Sequence, residues 1–470
     1  MYAKIGVVGL GYVGLTLAAA LARKGYQVYG VDTSPAVRDA LDQGRVHIFE
    51  PGIEEVFADT VGRSVFVGTS LPAEVDVAVI SVSTPVDDRT RQPDLTNLAA
   101  AAEQVARWCG PETLVVVRST VPVGTSRRVV LPPLLAAWGR AKLVMAPERT
   151  IQGQALRELV ELPQVVGGLD EESRRAGTEF FAGLATQVVP VSSLEAAELV
   201  KLSNNCHTDL IYSFGNELAL IAERHGLDPL EVIGAANLDY PRPDLSRPGY
   251  VGGGCLSKDP YIMIDSAGGE PGPFLVGAAR RLNEYLPVHV ANRVVELLRQ
   301  TRGGTVGRTL AVLGWAYKGW PPTDDMRGTP IATMMPVFRA AGLTVVGHDP
   351  MVPAEVIHRY GGEPTSIDKA FGEADAVLVI NDHPDYRAIP LDTVLTGGHR
   401  PALVYDSWRI LDEAAITAAG IRYAGIGYLP MPRPGTTVPA QQMEPVQPFD
   451  GAEPAGGGGS STPAGSRVGA

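Results

Sequence analysis

An apolar segment over residues 4–9 runs directly into Gly9-Leu10-Gly11-Tyr12-Val13-Gly14, and a small-residue, apolar stretch follows over 14–24. Nothing else in the 470 residues limits the fold so tightly. Three glycines at this spacing between a strand and a helix belong to a βα unit that receives a dinucleotide. Gly9 permits the tight turn, Gly11 lets the backbone approach a pyrophosphate, and Gly14 allows close helix–strand packing. The free N–H groups at the helix start then face the anion. Residues 27–32 read as the next strand and end in Asp32, whose carboxylate would accept from a ribose 2′-OH and repel a 2′-phosphate. NAD is therefore expected rather than NADP, although Arg38 lies close by in sequence. Tyr12 and Val13, inside the turn, are counted with the cofactor contacts. The uncharged run 5–22 superficially imitates a signal peptide or membrane span, but its glycines fit the turn instead.

The alternation of short apolar strands and helical stretches continues through residues 76–81, 113–118 and 142–146, which predicts a doubly wound, parallel α/β sheet of the Rossmann type. Residues 194–225 and 273–301 read as long helices, and the Pro/Gly-rich stretch 240–255 between them as a loop. Strand signals resume at 308–314, 344–348, 376–380 and 402–405. The expected domains are 1–193 for the cofactor, 194–303 as a central helical unit, 304–430 as a second Rossmann-like unit, and 431–470 as a disordered tail rich in Pro, Gly, Gln and Ser. A net charge of −12 argues against nucleic acid and acidic membranes as partners. Three cysteines, with no paired or metal-type spacing, predict a reducing, cytoplasmic setting and no metal site.

Several segments offer chemistry. Thr84 and Thr120, in Ser83-Thr84-Pro85 and Ser119-Thr120-Val121-Pro122-Val123-Gly124, follow predicted strands, where cofactor or substrate binds in such sheets; plain turn residues are the alternative. In Gly252-Gly253-Gly254-Cys255-Leu256-Ser257-Lys258-Asp259, the glycines allow backbone to press on a ligand. Cys255 sits where a helix would begin, close to Lys258, and both influences lower a thiol pKa. Four residues on, Asp259 would share its face. This suits covalent chemistry on a carbonyl, with a buried structural cysteine as the alternative. Cys109 and Cys206 have apolar helical surroundings and read as structural. Lys201 and Asn205, one helical turn apart, can stabilise an oxyanion or form part of a solvated face. Glu148, past a strand, is placed for general-base work on water. Lys318 and Arg327 offer cations for phosphate.

In this order the segments resemble the UDP-glucose/GDP-mannose dehydrogenase family, from residue 4 to about residue 429. The resemblance implies an NAD-dependent, metal-free oxidation of a UDP-sugar at C6 in two steps, with a UDP-binding second Rossmann-like domain. Cys255 would form the thiohemiacetal and thioester, Glu148 would work with the hydrolytic water, Lys201 and Asn205 would stabilise oxyanions, and Asp259 would assist. Thr120 would lie near cofactor and reacting carbon. Lys258 and Arg327 join the implied cofactor contacts, and Arg149, Arg242, Tyr250, Gly252, Gly253, Lys318 and Arg409 the implied substrate contacts. A homodimer through the long central helix is also implied, with Arg242 the plausible arginine lent across it.

Gln152 stands where UDP-glucose enzymes usually carry a second glutamate. Together with Pro147-Glu148-Arg149-Thr150, this resembles the branch acting on UDP-N-acetylhexosamines, with UDP-N-acetylmannosamine first and UDP-N-acetylglucosamine next. UDP-glucose is a further alternative. A single-step hydroxyacid dehydrogenase would need neither Cys255 nor residues 307–430, and a silent nucleotide-sugar binder would need no set of Glu148, Lys201, Asn205, Cys255 and Asp259. Tyr250 in place of a glycine, and a stretch after Lys318 about two residues longer than usual, depart from the family pattern.

Overall fold

The structure, a computed structural model, describes residues 2–241, 244–268, 274–396 and 398–429. Arg242 and the predicted disordered tail lie outside the described residues.

The first sheet has eight strands: β1 (Lys4–Val8), β2 (Gln27–Val31), β3 (Val65–Gly68), β4 (Val77–Ile80), β5 (Leu114–Val117), β6 (Lys142–Met145), β7 (Gln164–Gly168) and β8 (Val188–Val191). Their order is β3-β2-β1-β4-β5-β6-β7-β8. All neighbours pair parallel except β6 with β7. The order reverses between β1 and β4, and the glycine turn leaves β1 at that switch point, where open α/β sheets bind ligands. The inner strands β4 and β5 are buried at every position. Each valine or isoleucine so placed contributes about 1.5–3 kcal/mol relative to exposure. The antiparallel β7 departs from an all-parallel reading. It lets the chain leave β6 and re-enter the sheet from the same end, so the whole of 146–163 stays on the ligand side.

The helix Leu194–His225 starts at Ser193, whose side chain accepts from Ala196 N, and stops at Gly226 in the left-handed region. It packs along the helix Phe274–Arg302, which joins the second sheet in one core containing Leu286, Val290, Val294, Trp315, Ile331 and Met334. Between the helices runs a buried polar seam: Asp209 accepts from Arg280 and Asn283, and Asn216 donates to Asn283.

The second sheet contains β9 (Thr309–Leu313), β10 (Thr344–His348), β11 (Glu363–Pro364), β12 (Ala376–Val379), β13 (Leu403–Asp406) and β14 (Arg422–Ala424), ordered β11-β10-β9-β12-β13-β14 and parallel throughout. Strands β3, β7, β8, β11 and β14 were not legible. All but β7 lie at sheet edges, where burial is one-sided or partial and the apolar run is short; β7 is buried throughout, but Gln164 and its two closing glycines shorten its apolar run to Val165-Val166. Among the described residues no helix is long and apolar enough to cross a membrane.

Candidate active site

The glycine turn is shaped by two different demands. Gly9 has φ +92°, and a Cβ there would lie 2.7 Å from the Ser81 carbonyl oxygen; one on Gly14 would lie 1.9 Å from Gly9 O. Those two glycines are required by the protein itself. A Cβ on Gly11 would meet nothing within 4 Å, so its smallness answers to something outside the chain. The helix Tyr12–Arg23 begins there without a side-chain cap, leaving its first N–H groups unclaimed by side chains. Asp32 accepts from Leu10 N (2.9 Å) with Oδ2 and from Ser34 N (2.8 Å) with Oδ1, which leaves acceptor capacity beside the turn. Arg38 Nη1 donates to the Asp32 carbonyl (2.6 Å). A dinucleotide fits this set. Val13 is half-buried behind it.

Two of the expected cofactor residues have their hydroxyls engaged within the protein. Tyr12 Oη donates to the buried Glu50, whose Oε2 also accepts from Gly153 N (2.8 Å) and Oε1 from Ala155 N (2.7 Å). The tyrosine ring braces the 148–155 loop, and its backbone N–H stays at the glycine turn. Thr84 is buried, and its hydroxyl donates to Thr120 O (2.6 Å), fastening two strand exits together. Thr120 itself is half-buried. Its loop is drawn to the central helices by Glu198, which accepts from Gly124 N (2.5 Å) and Ser126 N (2.8 Å), and by Ser266, which accepts from Val123 N (2.9 Å).

Cys255 is exposed, whereas Cys206 is buried and Cys109 half-buried. Burial pushes the Cys206 thiol up to about 12, with Asp259 and Asp209 adding to it, and pushes Cys109 up to about 11. Cys255 occupies the four-residue turn Gly253–Leu256; the chain breaks at Ser257 and Lys258 before the helix Asp259–Ala267. The single helix expected to align Cys255 with Asp259 is therefore not formed, because Pro260 can only stand in a first turn and starts a new one. The glycines before Cys255 are required by the protein itself. A Cβ would lie 2.3 Å from Gly328 O at Gly252, 2.8 Å from the Tyr317 ring at Gly253 and 2.6 Å from the Arg327 guanidinium at Gly254. Gly253 N also donates to Arg327 O (2.8 Å). The cysteine turn is thus clasped by the loop that follows β9.

Asp259 is fully buried and accepts from Asn205 Nδ2 (2.5 Å) and Lys258 Nζ (2.8 Å). Lys258 is therefore spent on Asp259 here rather than pointing free toward the glycine turn. Lys201 is buried on the same helix as Asn205. Its charge helps keep Glu148 ionised. Burial alone would raise the Glu148 carboxyl, but Arg118, the Thr150 N–H and Lys201 outweigh it and hold it below the usual range. Glu148 Oε2 accepts from Arg118 Nη2 (2.6 Å) and Nε (3.2 Å), and Oε1 from Arg149 N (2.7 Å) and Thr150 N (2.9 Å). All four acceptor positions are filled. Arg149 turns its guanidinium to Pro163 O.

From the second sheet, Lys318 Nζ donates to Gln152 O (2.8 Å) and Tyr317 Oη to Gln152 Oε1 (3.2 Å). Burial lowers the Lys318 ammonium to about 8, against the pull of Glu50, Asp325, Asp382 and Glu158. Arg327 forks onto Asp325 with Nε–Oδ1 2.9 Å and Nη2–Oδ2 2.7 Å. Two expected substrate residues have their side chains engaged inside the protein. Tyr250 is buried in the core with its hydroxyl 2.8 Å from Ser407 Oγ. Arg409 pairs with Asp228 (2.5 Å) and covers the Tyr428 ring at 3.8 Å, so it struts the helix Pro229–Asn237 against the second sheet. Glu50, Arg118, Glu198 and Gln152 shape the site without having been singled out for these tasks. Arg118 carried the clearest signal, a charge closing an all-apolar strand, and Glu50 stands just before Pro51-Gly52.

A glycine turn open to a dinucleotide, a second Rossmann-like sheet and an exposed thiol on a turn clasped by that sheet's 317–328 loop define an NAD-dependent oxidoreductase. The chain belongs to the UDP-glucose/GDP-mannose dehydrogenase family. Its NAD binding domain is matched over residues 3–185, its central domain over 195–285 and its UDP binding domain over 311–413. A UDP-N-acetyl-D-mannosamine dehydrogenase of Pyrococcus horikoshii is 31% identical over 434 residues, 90% of this chain and 99% of that one. An NDP-N-acetyl-D-galactosaminuronic acid dehydrogenase of Ralstonia nicotianae is 31% identical, covering 83% and 92%. The solved UDP-D-ManNAc dehydrogenase from Pyrococcus horikoshii superposes with TM-score 0.81 at 30% identity over 91% of this chain and 100% of that one. A UDP-glucose dehydrogenase from Pyrobaculum islandicum gives 0.77 at 29% identity, over 91% and 98%.

Proposed function

We propose that the protein oxidises C6 of UDP-N-acetyl-D-mannosamine to the carboxylate, through a thiohemiacetal and a thioester on Cys255. The observation that carries this reading is the thiol itself. Cys255 alone of the three is exposed, on a turn clasped by the Arg327 loop, while burial raises the other two. NAD, which the turn Gly9–Gly14 and Asp32 would hold, would accept one hydride in each step, two molecules being used in succession per sugar. Cys255 Sγ adds to the C6 aldehyde carbon while its proton goes to the aldehyde oxygen, keeping the half-oxidised sugar on the protein; loss of the second hydride and of the hydroxyl proton to solvent leaves a thioester, and water releases the acid and restores the thiol. Lys201, charged and buried, stabilises the oxygen of the adducts, and Asn205 is aimed by Asp259. Glu148 directs the hydrolytic water once the 148–150 loop releases one of its four donors. Lys318 and Arg327 hold the diphosphate. The names of the similar enzymes and Gln152 support the N-acetylhexosamine choice.

A homodimer is part of this reading. Ile211, Phe214 and Ile221 form an exposed apolar stripe on the helix Leu194–His225 that a second copy would cover. The reactive thiol also fits the reducing cytoplasm. NADH formation with a panel of UDP-N-acetylmannosamine, UDP-N-acetylglucosamine, UDP-glucose and GDP-mannose tests the substrate. The highest kcat/KM is expected for UDP-N-acetylmannosamine. A preference for another sugar by more than about tenfold overturns the choice of sugar, and no turnover of any overturns the reading.

A further inference from the structure

We propose that Gln152 is a positioning residue that latches the loop following β6 onto the Tyr317–Arg327 segment, and thereby sets where the Arg327 guanidinium stands beside Cys255. This deepens the reading above and rests on it for the turnover measurements only. Gln152 meets the second sheet's loop twice in hydrogen-bond geometry: its carbonyl accepts from Lys318 Nζ at 2.8 Å, and its side-chain Oε1 accepts from Tyr317 Oη at 3.2 Å. Tyr317 is the ring against which Gly253 is packed, two residues before Cys255. With Oε1 turned to Tyr317, the amide NH2 is left for Asp325, whose ionised form it stabilises. Asp325 in turn grips Arg327 through two oxygens, and that guanidinium lies within 2.6 Å of where a Gly254 Cβ would be.

An amide is the one group of this size that can accept from the tyrosine and donate to the carboxylate together. A carboxylate at 152 could keep the first bond but would face Asp325 as a like charge. The loop is rigid enough to transmit this. Gly153 N and Ala155 N are held by Glu50, and Ile151 N by Glu158 at 2.8 Å. A Gly153 Cβ would press on Pro321 at 2.7 Å.

The charged and titratable groups facing this residue are Tyr317, Lys318 and Asp325 across the contact. Glu50, Tyr12 and Glu158 lie behind its loop, Glu148 and Arg149 beside it, and Asp324 and Asp382 beyond Lys318. Lys318 favours a second carboxylate here and Asp325 opposes it. Lys318 already donates to the backbone carbonyl and loses its charge above about pH 8, so the repulsion grows with pH.

The test compares Gln152→Glu and Gln152→Ala with the unaltered protein between pH 6 and 9. One readout is kcat/KM, and the other is the rate of Cys255 alkylation by iodoacetamide, assigned by peptide mass spectrometry. For Gln152→Glu, both ratios to the unaltered protein should fall about tenfold at pH 8 and recover to within about twofold at pH 6, as the carboxyl pair takes up a shared proton. Gln152→Ala should lose about threefold at every pH, having lost the latch without gaining a charge. A ratio for Gln152→Glu that does not change with pH overturns the proposal, as does unaltered alkylation in both variants. Should Gln152→Glu fail to fold, a Gln152→Ala protein with unaltered alkylation is sufficient to overturn it. The alkylation readout uses no substrate, so failure of the assigned chemistry leaves it intact and the two failures are distinguishable.

Discussion

The two parallel sheets carry the same device at the same place and use it in opposite ways. After β1 comes Gly9, at φ +92°, and after β9 comes Gly314, at φ +87°. An aspartate follows the second strand of each, Asp32 and Asp349. In the first sheet Asp32 takes a single N–H of the turn, Gly11 borders open space and a helix starts at Tyr12. In the second, Asp349 Oδ2 takes both Trp315 N (2.5 Å) and Ala316 N (3.0 Å), and Asn381 stands 2.4 Å from where a Gly314 Cβ would be. The indole of Trp315 is fully buried against Gly347 and Gly362. No helix begins until Pro330. The first turn leaves its donors to a ligand, whereas the second consumes them. Under the proposed function the second half therefore holds an anion with side chains, Lys318 and Arg327 of the 316–329 loop.

This contrast can be broken by substitution. The largest effect is expected at the exposed thiol, on the turn that the second half's 317–328 loop clasps. Cys255→Ser should lower acid formation by roughly 10³-fold or more with NAD affinity unchanged, read by product analysis and a binding titration. Turnover near the unaltered rate would remove covalent catalysis.

The glycines come next. Gly14→Ala forces a Cβ onto Gly9 O and should cost about 2–3 kcal/mol of stability. Gly314→Ala, strained at positive φ and against Asn381, should cost about 1–3 kcal/mol while leaving NAD affinity alone. Gly11→Ala should leave thermal stability nearly unchanged yet weaken NAD binding about tenfold, because its Cβ enters the space where a pyrophosphate approaches. Equal NAD affinities for Gly11→Ala and Gly314→Ala would erase the distinction between an open and a closed turn.

A smaller effect, set by pH, sharpens the role of the second half. The Lys318 ammonium, lowered by burial to about 8, is charged below that pH and neutral above it. A diphosphate binds the charged form, so KM for the nucleotide sugar should rise by up to about tenfold per unit above pH 8, and Lys318→Met should flatten that rise. Stability runs the other way. The folded chain gives up this proton before the unfolded chain does at 10.5, so the group's contribution to stability grows as pH rises from 8 to 10.5. A KM that falls across that interval contradicts the assignment.

The sequence made the scaffold largely legible because the inner strands other than β7, which opens with Gln164 and closes in two glycines, carry near-continuous apolar runs, and both long helices keep a regular apolar spacing. The edge strands did not announce themselves, since Val188–Val191 contains a proline and is only partly buried. In the site, the glycine turn and the exposed cysteine could be read because local chain chemistry dictates them. The fates of Tyr12, Thr84, Tyr250 and Arg409 could not, because each depends on a partner far along the chain: Glu50, Thr120, Ser407 and Asp228. Gly252, Gly253 and Gly254 were readable as a place of close approach, but not as one where Tyr317, Arg327 and Gly328 do the approaching.

The most direct measurement is the number of NADH formed per sugar carboxylate when UDP-N-acetyl-D-mannosamine is limiting and aldehyde is assayed in the same samples. Retention of the half-oxidised sugar on Cys255 predicts two NADH per acid and no free aldehyde at any time. One NADH per sugar with accumulating aldehyde would contradict it.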